Sequence, residues 1–223
     1  MIDINEILKP TLVIRSKRKT MSLMIKANGD FVVRAPLKSK DSDIHRFIKE
    51  KSNWIIQKRT EQLNNKFEEL NFNREEEIVL LGDSYKITLS NIKTYKLCEK
   101  EILLSNINPQ KNLIIFLKKY AKTYIDERIK ILSTNTGLKY STFSISSART
   151  CWGSCSYNNK LHFTYKLIMC PKDVIDYVIL HELCHTNIKN HGAKFWLLVE
   201  KYCPNYKVYE KWLKKNRGLI NVI

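Results

Sequence analysis

No apolar stretch in this 223-residue sequence reaches the roughly 18 residues that a membrane-spanning helix needs, so no membrane partner is expected. Its opening, MIDINEILKP, has no basic region followed by an apolar run and a cleavage site, which argues for a cytoplasmic protein. Pro, Ser and Gln tracts are missing, as is any internal repeat. With hydrophobic residues at 43% and charged residues at 27%, bulk disorder and repeat arrays are excluded. No Walker loop, GxSxG elbow or GxGxxG occurs, which removes nucleotide-binding and serine-hydrolase readings. The six cysteines (98, 151, 155, 170, 184 and 203) contain no CxxC pair, and the chain is too long to need a disulfide framework. They read as reduced thiols, most of them in the core. A second metal site built from Cys151 and Cys155 with Cys170 or Cys203 is the less favoured alternative.

Acidic residues are the scarce charge. Against 39 Lys and Arg stand 22 Asp and Glu, a formal net charge of +17 spread over both halves of the chain. Such a field attracts polyanions or acidic substrates, which makes nucleic acid a candidate partner. No dense basic arm or aromatic stacking series accompanies the charge, so a solvated lysine surface is an equal reading.

Local patterning divides the chain near Pro109. Before it, TLVIRS, TMSLMIK and FVVRAP alternate like the strands of a small antiparallel sheet, with Asn28-Gly29 as a hairpin signal. Ser42 opens one long helical pattern to about Glu69, carried by Ile44, Phe47, Ile48, Trp54 and Ile55. IVLLG and YKITLS flank the Gly82-Asp83 turn, and TYKLC and EILLS form a further pair. After it, Leu113, Phe116, Leu117, Tyr120, Tyr124, Ile125 and Ile129 make a helical stripe ending before Gly137. TFSISSA and LHFTYKLI then form a hairpin through CWGSCS, Pro171 starts the helix PKDVIDYVILHELCHTN, and a Trp- and Tyr-rich helical segment closes the chain. The expected organisation is α+β: a β-rich unit with one long helix over 1–107, and a helix, sheet and helix domain over 108–223.

The chemistry lies in HELCHTNIKNH. Residues four apart on a helix lie about 40° apart in azimuth, so His181 and His185 point the same way and can grip one ion. Glu182 sits on the neighbouring flank, placed to take a proton from the attacking water. That is the HExxH arrangement of zinc peptidases. The preceding Val174, Ile175, Tyr177, Val178 and Ile179 mark the helix as buried, and two histidines on a buried helix demand a polar partner that a metal supplies. His191, six positions after His185, has metzincin spacing, but Ile188 stands where the bending glycine would be. A left-handed Asn187 or Asn190 would have to make that bend. Glu200 on the next helix is the rival third ligand, and Cys184 points away from the site as packing. The strand Lys160 to Leu167 is the expected edge for an extended substrate, with Arg149, Trp152 and Tyr165 along the cleft.

Taken together, RSKRKTMSLMIKANGDFVVRAP, FIKEKSNWI, RTCWGSCSYNNKLHFTYKLIMCP, VIDYVILHELCHTNIKNHGAKFW and CPNYKVYEKWL resemble the YgjP-like (DUF45, M48-like) metallopeptidases. The WGSCS and HELCH…NH blocks are the specific ones. The resemblance covers most of the chain. It implies a zincin-like C-terminal domain related to the SprT and WLM proteases, its active-site helix beside an antiparallel sheet. It further implies zinc on His181, His185 and His191, with Glu182 as the base. Asn159 departs from the glycine usual in that hairpin turn. The implied function is zinc-dependent hydrolysis of peptide bonds in a peptide or protein substrate. The alternatives are a DNA-associated, SprT-like protease acting on DNA-bound proteins, or a nucleic-acid-binding protein with a structural zinc.

Overall fold

The computed structural model describes residues 4–26, 29–64, 70–73 and 75–223. It is an α+β protein in two compact units, Met1–Lys66 and Phe67–Ile223.

In the first unit, helix α1 (Ile4–Leu8) precedes strands β1 (Leu12–Ser16), β2 (Ser22–Ile25) and β3 (Phe31–Pro36), then helices α2 (Asp41–Glu50) and α3 (Ser52–Asn64). The most buried strand, β3, takes the centre of the sheet in the order β1-β3-β2. Its Phe31, Val33 and Ala35 share one face and pack on Ile44, Ile48 and Ile55 of the helices. The sheet is mixed, not antiparallel. β2 pairs with β3 antiparallel, with Gly29 left-handed at φ 88°, while β1 skips β2 and therefore runs parallel to β3. The long helix expected from Ser42 is two helices that break at Lys51, and Trp54 is 41% exposed instead of joining the stripe. Asn28 and the final residues of that expected helix, 65–69, lie outside the described residues.

The second unit begins with β4 (Glu76–Leu80), β5 (Asp83–Ser90), β6 (Tyr95–Leu97) and β7 (Glu101–Ser105) in the order β4-β5-β7-β6. Leu81 (φ 56°) and Gly82 (φ 92°) give the β4–β5 hairpin the two left-handed residues that a tight turn of matching twist requires. Helix α4 (Pro109–Thr136) buries Leu113, Phe116, Leu117, Ala121, Ile125 and Ile129 and stops at left-handed Gly137, whose N–H bonds Ser133 O at 2.9 Å. Ile78, Leu80, Ile87, Ile102 and Leu104 from β4, β5 and β7 belong to the same core cluster as these helical residues. That shared core explains why the unit begins well before Pro109, where the texture of the sequence changes.

A second sheet holds β8 (Thr142–Ser146), β9 (Gly153–Cys155) and β10 (Lys160–Thr164) in the order β8-β10-β9. The segment CWGSCS contains a strand of its own, β9, so β8 and β10 are not a hairpin. They run parallel, and the antiparallel hairpin is β9–β10. A 3-10 turn over Tyr165–Met169 leads to α5 (Lys172–Asn187), followed by α6 (Ala193–Tyr202), α7 (Tyr206–Lys215) and a last 3-10 turn, Arg217–Asn221. Lys166 is 1% exposed, and its ammonium donates to the carbonyls of Ile220 and Ile223, which ties the last turn to the first. α5 packs against α4, α6, α7 and β9, so it is apolar nearly all round. Arg128 of α4 grips Asp176 of α5 with two parallel bonds of 2.9 and 2.6 Å, which sets the helix's rotation as well as its depth. Among the described residues no helix is long and apolar enough to cross a membrane.

Candidate metal centre

His181 and His185 lie one turn apart on α5, and the chain then turns back to bring His191 over both. Nε2 of His191 stands 3.1 Å from Nε2 of His181 and 3.1 Å from Nε2 of His185. The reversal needs no left-handed residue: Ile188 is extended at φ −130°, ψ 107°, and Asn187 and Asn190 are not among the residues with positive φ. An extended residue ends α5 as sharply as the expected glycine would.

The hydrogen bonds decide what these nitrogens can do. His185 Nδ1 lies 2.9 Å from Ile188 O, and a carbonyl only accepts, so in the neutral ring Nδ1 carries the proton and Nε2 presents its lone pair. Burial pushes the His181 imidazole down to about 3, with His185 and His191 adding to the effect, and burial lowers His185 as well. Both rings are thereby held in the neutral form that binds metals. His181 Nδ1 is buried with no hydrogen-bond partner.

Three ring nitrogens within 4.8 Å of one another, with His191 Nε2 at 3.1 Å from each of the other two, have too few protons to satisfy each other. A zinc–nitrogen bond of about 2.0–2.1 Å in a tetrahedral site places ligand nitrogens ~3.3 Å apart, close to what is seen. The donor set therefore fits zinc. His181, His185 and His191 are the group able to hold a metal among the described residues, and Glu200, exposed on α6, is not part of it.

Behind the cluster lies Phe195, fully buried on α6. Its ring stacks on His185 at 4.3 Å between centroids and meets His181 and His191 edge-on, each at 4.9 Å. Trp196 flanks His191 at 5.8 Å and stacks on Tyr206 at 5.3 Å. This aromatic wall fixes the three rings and excludes water from one side. It was legible only as an aromatic four positions after His191.

Glu182, 6% exposed, turns toward β9. A methyl group built on Gly153 would lie 2.8 Å from Glu182 Cγ and 2.9 Å from Oε1, so the carboxylate occupies the space that glycine leaves. Burial pushes the carboxyl up to about 8. Gly153 is the site residue that reading the motif missed; its signal was the glycine of WGSCS.

A family model described as YgjP-like, metallopeptidase domain, matches residues 19–216, most of the chain. This chain belongs to the YgjP-like metallopeptidase family. Two solved structures also align with part of it. The metallopeptidase zymogen of Pyrococcus abyssi abylysin is 17% identical with a TM-score of 0.37, covering 41% of this chain and 93% of that one. The metallopeptidase zymogen of Methanocaldococcus jannaschii jannalysin is 25% identical with a TM-score of 0.36, covering 40% and 91%. The comparison with curated proteins gives no match.

Other expectations for this YgjP-like site change. The strand beginning at Lys160 is not an edge: β10 is paired on both sides, and the edge strand packed on α5 is β9. Tyr165 is 3% exposed in the core instead of lining a cleft. Arg149 is exposed, and Trp152 is half-buried, its carbonyl accepting the Thr164 N–H at 3.0 Å. All six cysteines are free, with Cys170, Cys184 and Cys203 buried, and none joins a metal-binding group among the described residues.

Proposed function

We propose that this protein hydrolyses peptide bonds with a zinc ion held by Nε2 of His181, His185 and His191 and with Glu182 as general base. The convergence of the three Nε2 atoms beside a buried carboxylate carries this reading. When bound, the ion supplies Lewis-acid polarisation of the scissile carbonyl and makes a water easier to deprotonate. Glu182 takes the proton of the attacking water on its carboxylate and returns it to the leaving nitrogen. Its burial makes it a stronger base than a surface glutamate, and a neighbouring cation offsets that rise, so the carboxylate works near neutral pH. The free edge of β9 offers N–H and C=O groups to which an extended peptide can add as a further strand, beside Glu182. Replacing Glu182 by Gln keeps zinc and abolishes turnover; undiminished proteolysis by that variant sinks the mechanism.

Three protein ligands leave a coordination position open, which favours a catalytic over a structural zinc. The formal charge of +17 supports a second reading, a DNA-associated protease acting on DNA-bound proteins. DNA binding that weakens steeply with salt and speeds cleavage would establish it; cleavage indifferent to DNA removes it. Six free thiols suit a reducing cytoplasmic setting.

A further inference from the structure

The loop that carries His191 contains an exposed lysine whose side chain reaches the β9–β10 hairpin. Lys189 Nζ lies 2.6 Å from Asn159 Oδ1, 2.9 Å from Ser156 O and 3.6 Å from Cys155 Sγ. An ammonium has three donors in a tetrahedral array, and one turn of the hairpin offers three acceptors to it. The turn is rigid in its own right. Asn159 N–H bonds Ser156 O at 3.1 Å, Ser156 N–H bonds Lys160 O at 2.9 Å, and Lys160 N–H bonds Ser156 Oγ at 3.1 Å. Asn159 is left-handed at φ 57°, so the position suits glycine, yet only a side chain with an oxygen can meet Lys189.

The loop's other contacts run to its own helices and core: His191 meets Phe195 and Trp196 of α6, and Ile188 packs on the core cluster. Its other hydrogen bonds stay with α5, α6 and the loop itself: Ile188 N–H to Cys184 O at 3.0 Å, His185 Nδ1–H to Ile188 O at 2.9 Å, Gly192 N–H to Asn190 Oδ1 at 3.4 Å, Phe195 N–H to Gly192 O at 3.0 Å, and His191 Nε2 against the Nε2 atoms of His181 and His185. None of them reaches the sheet. The Lys189 contact does, from a position two residues before His191, and its acceptors continue the strand that places Gly153 against Glu182.

We propose that Lys189 is a positioning residue: its ammonium clamps the His191 loop to the β9–β10 hairpin, so that one contact sets both the third metal ligand and the strand beside Glu182. This rests on the zinc reading of the three histidines. With the clamp gone, His191 and β9 loosen together while α4 and the four-stranded sheet are unaffected.

The test uses the full chain with Lys189→Met, Asn159→Gly and the two combined. Asn159→Gly keeps the left-handed backbone and removes the nearest of the three acceptors. Zinc affinity is measured by chelator competition, and hydrogen exchange is followed over 153–160 and 188–192. Lys189→Met is expected to bind zinc about 10-fold more weakly, as loss of a contact that orients a ligand typically does, and Asn159→Gly to weaken it in the same direction by less, since Ser156 O and Cys155 Sγ still meet the ammonium. Both segments should exchange faster. The double variant should fall no further than Lys189→Met, because the contact that Asn159→Gly removes is one of those already lost with the ammonium. Lys189→Arg should recover part of the affinity. Wild-type zinc affinity and exchange in both single variants overturn the proposal. If Lys189→Met fails to fold, Asn159→Gly decides alone. His191→Ala separates the two readings: undiminished zinc binding there overturns the site assignment itself, whereas zinc lost there but kept in both clamp variants overturns only the role of Lys189.

Discussion

Replacing Gly153 by Ala separates catalysis from folding in this protein. The backbone at 153 is not left-handed, so alanine costs little there as a conformation. Its methyl group would stand 2.8 Å from Glu182 Cγ, 2.9 Å from Oε1 and 3.2 Å from Cδ. Ordinary carbon contacts lie at about 3.5–4.0 Å, so the carboxylate has to retreat by roughly 0.7–1 Å. The atoms in the way form the far end of a side chain, so the retreat is a rotation and the fold survives it. A misplacement of ~1 Å at a reacting group costs on the order of 100-fold in rate, or about 2.7 kcal/mol of barrier. The variant should therefore keep its zinc and its melting temperature within about 1–2 °C, and lose roughly 10–100-fold in kcat on a fluorogenic peptide. Full kcat with unchanged zinc would refute the idea that Glu182 is held in place by the missing side chain.

From these two groups, Glu182 and His181, metal-free protein should be most stable between about pH 4.5 and 6.5 and lose stability on either side of that range. Glu182 is pushed up to about 8, so the unfolded chain ionises first as pH rises. Its contribution is full below the usual carboxylate range near pH 4.5 and is lost as pH climbs to about 8. His181 is pushed down to about 3, so its contribution is full above pH 6.5 and is lost as pH falls toward 3. Glu182→Gln should accordingly melt higher than wild type in chelator, by a margin that widens from pH 5 to pH 9; a constant margin contradicts the burial argument. Phe195→Ala removes the ring that touches all three histidines and should cost about 3–5 kcal/mol together with weaker zinc binding, by denaturation and chelator titration. Wild-type zinc affinity in that variant would mean the histidines order themselves.

Much of the site was readable because its logic is local. HExxH is a statement about one helix turn, and α5 was legible from Pro171 and its apolar run. The third histidine is nearly as local, although the bend before it was misread: an extended Ile188 does what a left-handed asparagine was expected to do. What stayed hidden depends on partners far along the chain. Gly153 meets Glu182, and Lys189 meets Asn159, through sheet geometry that no spacing rule encodes. The sheets show the same limit. Hairpins with a turn signal, such as β4–β5, were found, its turn one residue before the expected Gly82-Asp83, whereas the parallel pairings β1–β3 and β8–β10 leave no local mark. β4 to β7 likewise share a core with α4 that periodicity alone does not reveal.

The central claim is that three histidines hold a catalytic zinc, and anomalous diffraction at the zinc edge from crystals grown with zinc tests it most directly. The account predicts one strong peak within about 2.0–2.1 Å of Nε2 of His181, His185 and His191, with no fourth protein ligand and with the Glu182 carboxylate facing the open position. A peak elsewhere, or a fourth side chain closing the site, would contradict it.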